Sequence, residues 1–164
     1  MADVEEQSNF VRLHRAIQLV CDNALPCITD TLTKWHTNQL SVLHPCASPH
    51  QCPVTGKPKP GKSCQGCVDW GNALQSVYYP PIQPNVQHIH WSNVNPSLFH
   101  QDPVEVAKAF VLRLPSGKSY KSIGDFDAAS LLMIMMRFGA FHGGNRSVFD
   151  KIKEVSIVYC LKLN

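Results

Sequence analysis

Apolar residues in the first forty positions recur every three or four residues. Phe10, Leu13, Ile17 and Val20 form one stripe with Arg12 and Arg15 between them, which predicts a helix from Ser8 to Asn23 with Ser8 as its N-cap. Ile28, Leu32 and Trp35 form a second stripe. Pro26 stands where the first turn of a helix tolerates proline, so a second helix is expected from about Pro26 to Leu43. Two helices this close in sequence are expected to pack as a hairpin.

The periodicity stops at His44. Between His44 and Ser63 stand five prolines, two glycines and four Cys or His side chains able to ligate a metal. A helix is expected to start near Cys64 and to carry Val68, Leu74 and Val77. The stretch from Tyr79 to Asp102 is long, polar and interrupted by Pro80, Pro81, Pro84 and Pro96, with short strands expected around HIHW, His88 to Trp91. Asp102 and Pro103 read as the N-cap and first residue of a helix through VEVAKAFVLRL. Behind Asp125 and Asp127, the run AASLLMIMMRF is apolar nearly all round, the pattern of a buried central helix. Gly143 and Gly144 break the chain, and a last helix is expected from Ser147 to the end. There is no internal repeat. The pattern therefore predicts an all-α fold: a bundle of five to six helices in one domain over 1–164, with an irregular Cys-rich insertion at 44–70 and a long Pro-rich loop.

Composition narrows the class without changing that picture. A chain of 164 residues can bury a core without disulfides. Its 44% apolar and 16% charged content is that of a folded protein, and a net charge of +3 does not by itself argue for nucleic acid. The N-terminus MADVEEQSNF carries acids where a secretory signal carries basic residues, and the longest apolar stretch, Ala128 to Met136, is too short to span a bilayer. The expectation is an intracellular, cytoplasmic protein with no signal peptide and no membrane partner.

In a reducing compartment seven cysteines serve better as ligands or as small buried side chains than as disulfides. Four of them are spaced Cys46-x5-Cys52-x11-Cys64-x2-Cys67. A C-x2-C turn brings two thiolates to the same side of one ion, and Cys46 and Cys52 complete a tetrahedral set. A four-thiolate site has no open position for a substrate water, so the expected cofactor is a structural Zn2+. Lys57, Lys59 and Lys62 lie between the ligands to offset the thiolate charge. His44 and His50, each two residues before a Cys, are substitute ligands. Cys21, Cys27 and Cys160 read as small buried hydrophobes on helical faces.

Other motifs carry less. GKPKPGKS, residues 56–63, satisfies G-x-x-x-x-G-K-[ST]. A phosphate-binding loop follows a buried strand and opens a helix; HPCASPHQCPVT precedes this one, Pro58 and Pro60 have no N–H to donate, and no apolar strand ending in Asp follows. No His is followed two residues later by Glu, which excludes the zinc-deaminase signature, and no H-E-x-x-H occurs. No catalytic residue emerges.

Four words in the chain, CQGCVDWGNAL, HIHWSNVNPSLF, DPVEVAKAFVL and DFDAASLLMIM, occur in that order. The order resembles the HEPN-type domain of the DAZ-interacting RING ubiquitin ligase family and the related uncharacterised X-linked open-reading-frame family, over about His44 to Val155. In these families too a four-cysteine cluster precedes the tryptophan. The resemblance implies an all-α HEPN-like bundle. HEPN domains include metal-independent RNases with R-x4-6-H on the last helix, and inactive versions that serve as interaction or RNA-binding modules. The family's last helix usually carries an Arg-Asn pair followed by His. Here the stretch is KIKEVSIVYCLKLN: Ser156 and Ile157 stand in the place of Arg and Asn and no His follows, so the catalytic residues do not carry over and the last helix reads as truncated. HEPN domains often dimerise through the final helices, and truncation weighs against a homodimer. Arg137 and His142 fit R-x4-H by spacing, but at the end of the buried helix, where they read as a helix-end Arg and a loop His.

The functional expectation is a non-catalytic HEPN-like protein-interaction module with a structural zinc. The resemblance places its protein partner in ubiquitin or innate-immune signalling assemblies. The alternative is an RNA-binding or RNA-cleaving HEPN domain, with Lys57, Lys59, Lys62, Lys118 and Lys121 on phosphates and Trp91, Tyr78 and Tyr79 stacking bases. Solvated lysines and core aromatics are the simpler reading of those same residues.

Overall fold

The computed structural model describes residues 2–79, 89–115 and 117–142. Among these the fold is all-α, with no strand and only two isolated bridges, Pro60 with Ser63 and Tyr78 with Phe138. The expected last helix and Cys160 lie outside the described residues.

Helix α1 is one continuous helix, Ala2–Leu40, of 39 residues and about 58 Å. It replaces the expected hairpin, and Ser8 lies inside it rather than capping it. Pro26 sits in its interior. The proline costs about 3 kcal/mol in a helix. No glycine occurs before residue 56 to end the helix earlier, and one stripe stays in register across the proline: Ile17, Cys21, Ile28 and Leu32 are all buried. Burying a side chain such as Ile28 or Leu32 contributes about 1.5–3 kcal/mol, so the four together outweigh the proline. The stripe also corrects one residue: Val20 is exposed, and Cys21 takes the inward place. Its thiol lies 3.5 Å from the Ala128 carbonyl at the start of the central helix. Burial, with Asp22 and Asp127 adding to it, raises that thiol to about 11.

Helix α2, Gln65–Val77, begins at Cys64 as expected and buries Val68, Trp70 and Leu74. Trp70 is the hub of the core. Trp35 of α1 meets it edge-on at 6.2 Å, and the His36 ring lies 5.4 Å away. His36 is itself buried and its Nε2 donates to the Phe99 carbonyl at 2.7 Å.

The described part of the Pro-rich stretch folds as two 3-10 turns, Trp91–Asn93 and Pro96–Leu98, not as strands. Asn95 caps the second, its Oδ1 accepting from the Ser97 N–H at 3.1 Å. Helix α3 is short, Pro103–Lys108, with Asp102 as N-cap and Pro103 first, as the sequence indicates. The apolar run then leaves the helix, and Ala109, Phe110 and Val111 remain fully buried.

Asp125 belongs to a separate 3-10 turn, Ile123–Asp125, where its carboxylate accepts from the Lys121 and Ser122 N–H groups. Asp127 alone caps α4, Ala128–Arg137, accepting from the Ser130 N–H at 2.8 Å. The all-round apolar pattern of α4 gives the buried helix it predicts, with Leu131, Leu132, Ile134 and Met135 in the core. Helix α1 packs along α4 and α3. The C-terminal ends of α2 and α4 meet where Tyr79 N–H donates to the Arg137 carbonyl at 2.7 Å. No helix among the described residues is long and apolar enough to cross a membrane.

Candidate metal centre

The segment between α1 and α2 folds back on itself. Pro45 ends any continuation of α1, and the chain turns at Ser48, whose carbonyl accepts from the Gln51 and Cys52 N–H groups. A second turn runs through Lys59, Pro60, Gly61 and Lys62. Proline in second place, Gly61 at φ 78° in third and a 3.1 Å bond from Lys62 N–H to the Lys59 carbonyl make it a type II turn. The two turns bring Cys46 and Cys52 against Cys64 and Cys67, which open α2.

All four Sγ atoms lie within 4.8 Å of one another. Cys46 and Cys52 are 3.6 Å apart, and Cys46 and Cys64 are 3.7 Å apart. A tetrahedral ion with metal–sulfur bonds of about 2.3 Å has sulfur–sulfur edges of about 3.8 Å. The donor set therefore has the spacing for one four-coordinate ion, and the structure brings all four expected ligands together. His44 and His50 are exposed and stand outside the group.

The site is asymmetric. Cys52 and Cys67 are buried, while Cys46 and Cys64 are partly exposed. Burial works against ionisation of Cys64, but the backbone amides of Cys67 and Ala47, with the neighbouring thiols, bring it down to about 6. Burial raises Cys46 and Cys67 instead. One thiolate at the start of a helix thus forms readily and can recruit a cation, and a bound cation draws the others into their ionised form. The Cys64 N–H also points at Cys52 Sγ, 3.3 Å away, the kind of bond that holds a ligand sulfur in place.

Three positions supporting the centre are not ligands. Gly66, inside the C-x2-C turn, lies against the His44–Pro45 backbone, and no larger residue fits there. Gly56, at φ 104°, donates its N–H to the Trp91 carbonyl at 3.0 Å. Pro58 is buried against Gly71 of α2. None of the three follows from local pattern, because each is set by a contact with a segment remote in the chain.

The phosphate-loop match dissolves in this geometry. The N–H groups of Gly56, Lys59, Lys62 and Ser63 bond to Trp91, Ser63 and Lys59 within the protein, and Pro58 and Pro60 have none. Lys57, Lys59 and Lys62 are exposed. The aromatics considered for base stacking are engaged too: Trp91 and Tyr78 are buried, and Tyr79 stacks on His142 at 3.7 Å. Arg137 donates to the Phe110 carbonyl at 3.1 Å, and His142 Nε2 bonds the Met136 carbonyl at 2.9 Å, so both members of the R-x4-H spacing hold backbone. Cys27 corrects the sequence reading, since it is exposed rather than buried.

Comparison with known proteins adds a family. The family described as a domain of unknown function, DUF4559, matches residues 2–157. The mouse "Uncharacterized protein CXorf38 homolog" (Mus musculus) is 31% identical over 97 residues, which is 59% of this chain and 27% of the mouse protein. The chain thus corresponds to little more than a quarter of that relative's length. The mouse protein's name agrees with the X-linked open-reading-frame resemblance. No solved structure matches the chain. With the family match running over nearly its full length, the chain belongs to the DUF4559 family.

Proposed function

We propose that this chain is a non-catalytic helical interaction module whose irregular insertion is pinned by a structural zinc ion. The observation that carries the reading is the closed set of Cys46, Cys52, Cys64 and Cys67, all within 4.8 Å of one another. Four thiolates in a tetrahedral set suit zinc and leave it no position for substrate. The ion's work is then mechanical: it ties the end of α1 to the start of α2 and holds the loop between them in one shape. The groups that acid–base chemistry would use elsewhere, Arg137 and His142, are spent on backbone carbonyls.

The HEPN-like fold, a protein partner in ubiquitin or innate-immune assemblies and a cytoplasmic setting extend this reading by resemblance. RNA binding is the weaker alternative, because two of its three stacking aromatics are buried. The test is capture of partners from cells by the zinc-loaded chain, set beside binding of single-stranded RNA at low salt. The reading expects one protein captured in near-stoichiometric amount, lost on zinc chelation, and no RNA retained. Salt-sensitive RNA binding, or RNA cleavage in EDTA, would overturn it.

A further inference from the structure

We infer that the cysteine centre is also a peroxide-responsive latch: oxidation links Cys46 to Cys64, expels the metal and frees the loop between them. The inference rests on the zinc reading above and adds regulation to the same site.

Accessibility singles out the pair. Cys52 is 6% exposed and Cys67 1%, whereas Cys46 and Cys64 are partly open. A cleft of about 300 Å³, lined by Ser48, Gln51, Cys52, Lys62 and Cys64, opens beside the centre. Cys64 is the ligand both partly exposed and on that cleft, so a small oxidant meets its sulfur first. Cys46 is the other partly exposed ligand, its sulfur 3.7 Å from that of Cys64.

The chemistry balances with hydrogen peroxide as the oxidant. The Cys64 thiolate attacks one peroxide oxygen, the O–O bond breaks, and the departing hydroxide takes a solvent proton to leave as water, giving a sulfenic acid. The Cys46 thiolate then attacks Cys64 Sγ. The S–S bond forms, the S–O bond breaks, and a second water leaves with a second proton. Two sulfurs are oxidised and one peroxide is reduced. Only Cys52 and Cys67 remain as thiolates, too few to hold the ion in a tetrahedral site.

The consequence is local. The new bond still joins the chain after α1 to the start of α2, so the helices stay tethered. Cys52 loses its hold, and among the described residues the Gly56–Trp91 bond and the Pro58–Gly71 contact tie the 56–63 loop to the rest of the fold. Lys57 and Lys59 each precede proline, which trypsin does not cut, so the bond after Lys62 becomes the reporter of loop release.

The test uses the full chain with Cys27→Ser and Cys160→Ser to remove the other accessible or unassigned thiols. Zinc per chain is measured first, then hydrogen peroxide is added. Zinc release is followed with a chromogenic chelator, cross-links by peptide mass mapping, and loop release by brief trypsin digestion. The expected result is one zinc lost per disulfide, a Cys46–Cys64 cross-link, faster cutting after Lys62, and recovery of zinc binding after thiol reduction. Zinc retained under conditions that oxidise Cys27 in the parent chain overturns the latch alone. So does zinc loss with a different dominant pair. Absence of zinc before peroxide is added overturns the zinc reading and the latch with it.

Discussion

A Cβ built on Gly66 would stand 2.5 Å from the Pro45 carbonyl oxygen and 2.8 Å from that of His44. Both neighbours are backbone, so neither can swing away as a side chain would. This contact sets how closely the segment after α1 approaches the C-x2-C turn, and hence whether Cys46 reaches Cys64. Gly66→Ala is expected to destabilise the protein by about 1–3 kcal/mol and to weaken metal binding. Thermal melts and competition with a zinc chelator check both; an alanine variant with unchanged melting and affinity would show that the approach is not needed.

Helix α1 gives a distance prediction. Arg15 and Thr37 are both exposed and lie equally far on either side of Pro26. In a continuous helix their backbones are about 33 Å apart. A hairpin turning at Pro26 would bring them to about 10 Å, the spacing of packed helices. Spin labels at the two positions, read by pulsed electron resonance, are expected to report the long distance.

Lys62 of the phosphate-loop match is exposed, and its own N–H is bonded to Lys59. Lys62→Ala should therefore leave zinc content unchanged and stability within about 0.5 kcal/mol of the parent. ATP should bind neither protein in a calorimetric titration. Binding in the parent that disappears in the variant would restore the nucleotide reading.

Glu105 is buried, and it accepts from the Asn95 N–H at 2.9 Å while pairing with Lys108. Removing it leaves an amide and an ammonium without their partner in a largely desolvated place. Glu105→Ala is expected to cost about 3–5 kcal/mol in denaturant unfolding, far more than loss of an exposed ion pair such as Lys34 with Asp30.

What the sequence conveyed depended on whether the signal was local. Asp102, Pro103 and Asp127 announce helix starts because capping is settled within one turn. The cysteine spacing announces a metal set because C-x2-C fixes two sulfurs by itself. The course of α1 was not legible in this way. Pro26 is a local stop signal, and it is overruled by burial of Ile28 and Leu32 against elements far along the chain. His36 and Glu105 carry no local signal for the same reason, since their partners, Phe99 and Asn95, sit in turns that no periodicity marks.

Protein purified without added metal, analysed by inductively coupled plasma mass spectrometry, is expected to carry one zinc per chain. The double variant Cys64→Ser, Cys67→Ser is expected to carry none. Less than half an equivalent in the parent, or zinc content unchanged in the variant, would contradict a structural zinc at Cys46, Cys52, Cys64 and Cys67.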